Sequence, residues 1–129
     1  MSAPLVGRTA VVAGASRGIG LAIAEELQAA GAHVVRLARS LADAEKERRT
    51  DLACDVTDPA AVARAAQRVE AARGAPDVVV YVAGVFLVAA LVETTPEAFA
   101  AQLAGNLVAP FLCSTPSSRP WCGAAAGWS

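Results

Sequence analysis

The residues whose spacing carries a chemistry are the glycines of Gly14-Ala15-Ser16-Arg17-Gly18-Ile19-Gly20. A turn built on glycine lets the backbone approach a ligand closely, because no side chain stands between them. Where such a turn runs straight into a helix, the helix adds unpaired N–H groups and the positive end of its dipole. The ligand that suits this arrangement is a phosphate. The spacing is G-x-x-x-G-x-G, which differs from the general dinucleotide fingerprint G-x-G-x-x-G.

The flanking residues supply the context that such a turn needs. Before it, Thr9–Ala13 is a short β-branched apolar run, the pattern of a fully buried strand. After it, Ile19, Ile23 and Leu27 recur every fourth residue as the apolar stripe of a helix. That helix should end near Ala30, with Gly31 as its stop. Strand, glycine turn and helix in this order resemble the short-chain dehydrogenase/reductase family, and within it the 3-oxoacyl-ACP-reductase-like members. The resemblance implies that Gly14, Ala15, Ser16, Arg17, Gly18, Ile19 and Gly20 bind a nicotinamide dinucleotide.

His33–Ala38 reads as a second strand. His33, the only histidine, stands at its start and suits packing or solvent rather than catalysis. The end of this strand selects the cofactor in nicotinamide-dependent Rossmann proteins: an acid bonds the ribose 2′-hydroxyl, an arginine accommodates a 2′-phosphate. Ala38 occupies the acid's usual place and Arg39 follows it, with Arg17 as a second cation nearby. Both arginines point to NADP(H) over NAD(H). An ordinary surface charge at Arg39 is the alternative.

Leu41–Arg49 reads as a charged helix with a solvated face, and Asp51–Val56 as a third strand. In the family resembled, an Asp-Val pair here holds the adenine ring by side chain and backbone, and Asp55-Val56 matches it. Thr57-Asp58-Pro59 is also a strong helix start, so a capping turn is the other reading, compatible with the first. The helix that follows carries Val62, Ala65 and Val69 and should stop at Gly74.

Asp77–Val82 makes a fourth, continuously apolar strand, suited to the middle of a parallel sheet. Ala83-Gly84 then matches the end of the family's Asn-Ala-Gly, with Val82 in place of the asparagine. Thr95 should cap a fourth helix, on which Phe99, Leu103 and Leu107 share a face. Asn106 matches the family's asparagine, which supports a water-linked proton relay to the catalytic lysine; packing or solvent exposure is the other reading. The 96–113 helix commonly lies in a subunit interface in that family. Phe99, Leu103, Leu107 and Phe111 therefore form either a homo-oligomer seam or core.

The motifs run from Arg8 to about Cys113. The family's chemistry uses a serine and a Tyr-x-x-x-Lys beyond that point, whereas Tyr81 and Lys46, the single tyrosine and single lysine of this sequence, lie upstream and far apart. The tail from 114 to 129 has no periodicity. Written in GC-rich codons and read two nucleotides later, it can give HAVLPAMVRRGGGLV, which resembles the family's continuation; a shifted frame would explain it.

Composition narrows the class. With 129 residues, 55% hydrophobic and 18% charged, the chain has the make-up of one buried α/β sheet rather than of a disordered segment. A net charge of −1 without a basic stripe gives no footprint for nucleic acid. No signal-peptide pattern opens the sequence, and the uncharged run Val78–Val92 is too short to span a bilayer comfortably. Cys54, Cys113 and Cys122 lack metal-ligand or redox spacing, which argues for reduced thiols and a cytoplasmic setting, with no metal.

The expectation is therefore an α/β chain: a Rossmann-like doubly wound parallel sheet in the order 3-2-1-4, truncated before a fifth strand, with helices on both faces. Residues 1–113 would form a partial NAD(P)-binding domain and residues 114–129 an irregular tail. Its cofactor site would lie at the carboxyl ends of strands one and four. Two functions fit: the NADP(H)-binding portion of an oxidoreductase acting on a small carbonyl or hydroxyl substrate, or a nucleotide-binding module or truncated product without turnover.

Overall fold

The five apolar residues Thr9–Ala13 form β1, and every one of them is buried because the strand lies inside a sheet covered on both faces. In the computed structural model, which describes residues 3–114, the other strands are β2 (His33–Ala38), β3 (Ala44–Lys46), β4 (Arg49–Ala53) and β5 (Val78–Tyr81). Their order is β3-β4-β2-β1-β5. The four longer strands are parallel and in the expected 3-2-1-4 arrangement, with Val11 opposite both Val35 and Val79. The tail beyond Ser114 lies outside the described residues.

Side chains alternate along each strand, so the two faces of the sheet bury different sets. Ala10, Val12 and Val34 meet α1 (Gly18–Ala29) through Ala24, Ile23 and Leu27. Val11, Val35, Leu37 and Leu52 meet α2 (Pro59–Arg73) through Val62, Ala66 and Val69. Burying each of the larger side chains, Leu37 and Leu52 among them, is worth about 1.5–3 kcal/mol. Glycines end both helices at positive φ, Gly31 just after α1 (+100°) and Gly74 after α2 (+76°). At the start of α2, Asp58 Oδ1 accepts from the Ala60 N–H at 3.1 Å, ahead of Pro59.

Leu41–Arg49 departs from the expected helix. It is an extended segment whose Ala44–Lys46 pairs antiparallel with β4, turning through Arg48 at φ +56°. Nine residues, six of them charged, form too short a helix to stand alone, and they offer no apolar stripe that packing could reward. The hairpin offers specific partners instead. Asp43 Oδ1 accepts from the Ala53 N–H at 2.8 Å, and the Thr50 hydroxyl donates to Glu45 at 2.9 Å. With this pairing, β4 begins and ends earlier than the expected Asp51–Val56 strand, at Arg49 and Ala53.

Ile19 also departs from expectation. It lies in the first turn of α1 beyond the sheet and is 76% exposed, while Gly20 and Ala24 take the buried positions. The last helical stretch, α3 (Pro96–Leu103) and α4 (Ala109–Ser114), is joined by a π-turn over Ala104–Val108. Thr95 caps it as expected, accepting from the Ala98 N–H at 3.1 Å. Phe99, Leu103, Leu107 and Phe111 are exposed, so their shared edge is surface and not core. Among the described residues no helix is long and apolar enough to cross a membrane.

His33 is buried in the sheet, with Nε2 2.8 Å from the Thr50 hydroxyl. That hydroxyl spends its one proton on Glu45, so His33 Nε2 is the donor. Burial, followed by the charge of Arg73, pushes the imidazole pKa below its ordinary 6.5, against a smaller opposing pull from Glu45. A lowered pKa in the folded chain means that the unfolded chain takes up the proton first. Stability should thus be full above pH 6.5 and fall as pH drops through that value. Urea unfolding between pH 7.5 and 5.5 should show this slope in the wild type and lose it in His33→Gln; an unchanged slope in the variant would refute the assignment.

Candidate functional site at the carboxyl ends of the parallel strands

Two glycines fix the geometry of the loop by steric exclusion. At Gly14 (φ +88°), a Cβ would lie 2.7 Å from the backbone N and Cα of Ala83. At Gly20, a Cβ would lie 2.0 Å from the Gly14 carbonyl oxygen and 2.7 Å from Cγ2 of Val82. The end of β1, the start of α1 and the end of β5 thus meet with room for hydrogen only. Backbone bonds hold the meeting point: the Gly14 N–H donates to the Leu37 carbonyl at 2.8 Å, and the Val82 N–H to the Ala13 carbonyl at 2.9 Å.

Gly18 differs. It has φ +59° and nothing within 4 Å of where its Cβ would be, so its open side faces space. Arg17 is extended and gives α1 no side-chain cap, and no acidic residue occupies the first turn. This helix start is therefore electropositive and uncovered by side chains, the arrangement that takes an anion. Ser16 is half-buried, Arg17 and Ile19 are exposed, and Ala15 is buried. The uncapped helix start and the open side of Gly18 fit a phosphate group, while Gly14 and Gly20 are closed off by backbone.

Arg39 follows β2 directly and is exposed, beside Asp55 after the neighbouring β4. Hydrogen bonds from Thr57, first through its hydroxyl (2.6 Å) and then through its N–H (3.0 Å), hold the Asp55 carboxyl below its ordinary range, and the Arg39 charge adds to them. Asp55 thus builds the turn that leads into α2, while Asp58 does the capping. Val56 is buried in the core, which leaves its backbone as the part that can meet a ligand.

Asn106 lies in the π-turn, a device frequent at functional sites. Its Oδ1 accepts from the Val85 N–H at 2.9 Å and its Nδ2 donates to the Val85 carbonyl at 2.7 Å, as a neighbouring strand would. The side-chain amide is therefore engaged in holding the segment just after Ala83-Gly84. A Cβ at Gly84 would come within 2.6 Å of Asn106 Oδ1, and one at Gly105 within 2.7 Å of Val85 Cγ2. Tyr81, which fits no catalytic motif in the sequence, donates its hydroxyl to the Gly105 carbonyl. Arg36 and Asp51, absent from the expected site, form a buried ion pair in mid-sheet under the loop. A charged residue inside an otherwise apolar strand, HVVRLA, was the available signal.

Gly14 to Gly20, Arg39, Asp55, Val56, Ala83, Gly84 and Asn106 thus gather at one end of the sheet. A separate cleft of about 430 Å³, between β4 and the C-terminal half of α2, is lined by Val35, Leu52, Val69 and Arg73 and contains none of them. Among the described residues no cluster of metal-ligating side chains occurs, and Cys54 and Cys113 are buried free thiols.

The blocked space at Gly20 and the open space at Gly18 set an order of stabilities. Gly20→Ala should cost more than about 3 kcal/mol, because the blocking atom is a carbonyl oxygen that cannot rotate away. Gly18→Ala should cost only about 1–2 kcal/mol, for its left-handed backbone. Chemical denaturation of the two variants checks this, and equal losses would contradict the account.

The family model described as short chain dehydrogenase matches residues 8–127, past Cys113, where the motifs were expected to stop. The 3-oxoacyl-[acyl-carrier-protein] reductase MabA of Mycobacterium tuberculosis is 40% identical over 116 residues, covering 90% of this chain and 46% of that protein. The 3-oxoacyl-[acyl-carrier-protein] reductase FabG of Escherichia coli is 40% identical over 85 residues, 61% of this chain and 35% of that protein. The chain thus spans less than half the length of these relatives. A short-chain dehydrogenase/reductase from Serratia marcescens superposes with a TM-score of 0.82 at 31% identity, covering 92% of this chain and 54% of that one. A short chain dehydrogenase from Burkholderia cenocepacia, solved in complex with NADP, superposes at 0.76 and 34% identity, covering 86% and 49%.

Proposed function

This chain belongs to the short-chain dehydrogenase family, and from that premise we propose that it is the NADP(H)-binding portion of an oxidoreductase acting on a small carbonyl or hydroxyl compound. The observation that carries the reading is the close approach of Gly14 to Ala83, which leaves an open glycine loop at the uncapped start of α1. In this reading Gly14 to Gly20 hold the pyrophosphate. Asp55 and the Val56 backbone meet the adenine, and Ala83-Gly84 lie under the ribose and nicotinamide. The nicotinamide, when bound, supplies or accepts the hydride.

Preference for NADP(H) rests on the exposed arginines Arg39, just after β2, and Arg17, at the start of α1, and on Ala38 where an acid would select NAD(H). The relative solved with NADP is consistent with it. A charge-assisted contact from an exposed arginine to a phosphate should be worth about tenfold in affinity. Fluorescence titration should find NADPH tighter than NADH by about that factor, and Arg39→Ala should erase most of the difference. Equal affinities in the wild type would refute the preference.

A reading without turnover is favoured by one observation. Proton transfer needs a donor beside the reacting carbon, and Tyr81 spends its hydroxyl on Gly105 while Lys46 lies on the edge strand β3. In this reading Asn106 is the family's relay asparagine, and its side chain bonds both backbone groups of Val85. We therefore expect this 129-residue sequence to bind NADPH without oxidising it. Substrate-dependent NADPH oxidation that is lost in Gly18→Asp would reveal a catalytic group among these residues.

Self-association belongs to the same proposal. Leu103 and Leu107 on the 96–113 helix, with β5 as the outer strand among the described residues, form the face offered to a second copy. Sedimentation should show a dimer that Leu107→Lys weakens; a wild-type monomer at high concentration would overturn it. Reduced cysteines and a cytoplasmic setting complete the reading.

A further inference from the structure

Arg36 sits in the middle of β2, buried on the α1 face, where a charge is costly unless each donor is answered. Its Nε and Nη2 donate to Oδ1 and Oδ2 of Asp51 at 2.7 and 2.8 Å, a bidentate fork. The register sets Arg36 opposite Asp51, so the fork is a cross-strand pair. The remaining contact leaves the sheet: Nη1 donates to the Ala15 carbonyl at 3.3 Å. Arg49, half-buried on β4, approaches Asp51 Oδ1 at 3.2 Å and gives a cluster of one negative and two positive charges.

Gluing β2 to β4 does not require this contact, since the two strands already share a backbone ladder and an apolar pair would serve as well. The Ala15 contact acts on the loop. A peptide unit is planar and trans, so the carbonyl of Ala15 and the N–H of Ser16 point in opposite directions. By drawing the Ala15 carbonyl toward the sheet, Arg36 turns the Ser16 N–H away from it. We infer that Arg36 is a positioning residue, which the fork to Asp51 holds in place so that it orients the Ser16 N–H for a phosphate oxygen of the dinucleotide. The inference rests on the reading of the loop as a pyrophosphate site. Arg36 touches no ligand itself and acts through the peptide it holds.

The test separates the pair from the loop contact. Arg36→Met removes both. The double exchange Arg36→Asp with Asp51→Arg rebuilds the pair, but its arginine then stands on β4, one strand farther from the loop. Arg49→Met disturbs the charge cluster without touching Ala15. Three quantities are read on each: stability to urea, NADPH affinity by fluorescence, and the Ser16 amide resonance in the protein without cofactor. Arg36→Met should bind NADPH about tenfold more weakly, as expected for a lost hydrogen bond to a charged group, and should shift the Ser16 resonance. The exchange should regain stability while affinity and resonance stay altered.

A double exchange that restores all three would make Arg36 purely structural and overturn the inference. If the exchanged protein fails to fold, Arg36→Met against Arg49→Met decides: equal losses of affinity would overturn it, and a loss with a Ser16 shift only in Arg36→Met would uphold it. A wild type that binds no NADPH refutes the proposed function instead. In that case the Ser16 resonance still shows whether Arg36 holds the loop, and an unshifted resonance in Arg36→Met would sink the inference by itself.

Discussion

The candidate site depends on how closely three backbone segments meet. Gly14 passes Ala83 at a distance where a single added carbon would sit 2.7 Å from the main chain, and Gly20 lies still nearer to the Gly14 carbonyl. Such contacts cannot be approximated by larger residues, because what stands in the way is backbone and not a flexible side chain. The pinch brings the carboxyl ends of β1 and β5 together with the start of α1. Everything else places groups around that point: Arg39 and Asp55 after the neighbouring strands, and Ala83-Gly84 directly against the loop.

Polar contacts hold the pinch from two sides. Below it, Arg36 ties the Ala15 carbonyl to Asp51. Opposite it, Asn106 grips both backbone groups of Val85, and Tyr81 reaches the Gly105 carbonyl in the π-turn. Each neutral bond is worth only about 0.5–1.5 kcal/mol net, yet together they link mid-sheet, loop and last helix. They also explain why a π-turn interrupts that helix: Asn106 must face the strap after β5, and Gly105 must let Val85 approach. Val82, where the family's motif has an asparagine, packs its methyl against Gly20 and joins the α1-side core.

Much of this was legible in the sequence because short-range rules fix it. The buried run Thr9–Ala13, the glycine spacing, the stops at Gly31 and Gly74 and the caps at Asp58 and Thr95 each depend on a few neighbouring residues. What failed was decided by distant partners. Leu41–Arg49 has the local propensity of a helix, but Asp43 and Glu45 find Ala53 and Thr50 across a hairpin. Ile19 follows the periodicity of α1, yet the sheet ends before reaching it. Arg36 and Asp51 are fifteen residues apart in sequence and meet only through the β2–β4 register. The exposed apolar edge of the 96–113 helix could be read as core or seam from its period alone, and only the packing shows it as surface.

The central claim is that the glycine loop, with the groups the pinch gathers around it, binds a dinucleotide. The most direct measurement follows the backbone amide resonances of the isotope-labelled chain during titration with NADPH. The account predicts saturable shifts on Gly14, Ser16, Gly18 and Gly20, extending to Asp55, Val56, Ala83 and Gly84. It also predicts that Val35, Leu52, Val69 and Arg73, in the cleft beside α2, stay unmoved. No saturable shifts, or shifts confined to that cleft, would contradict it.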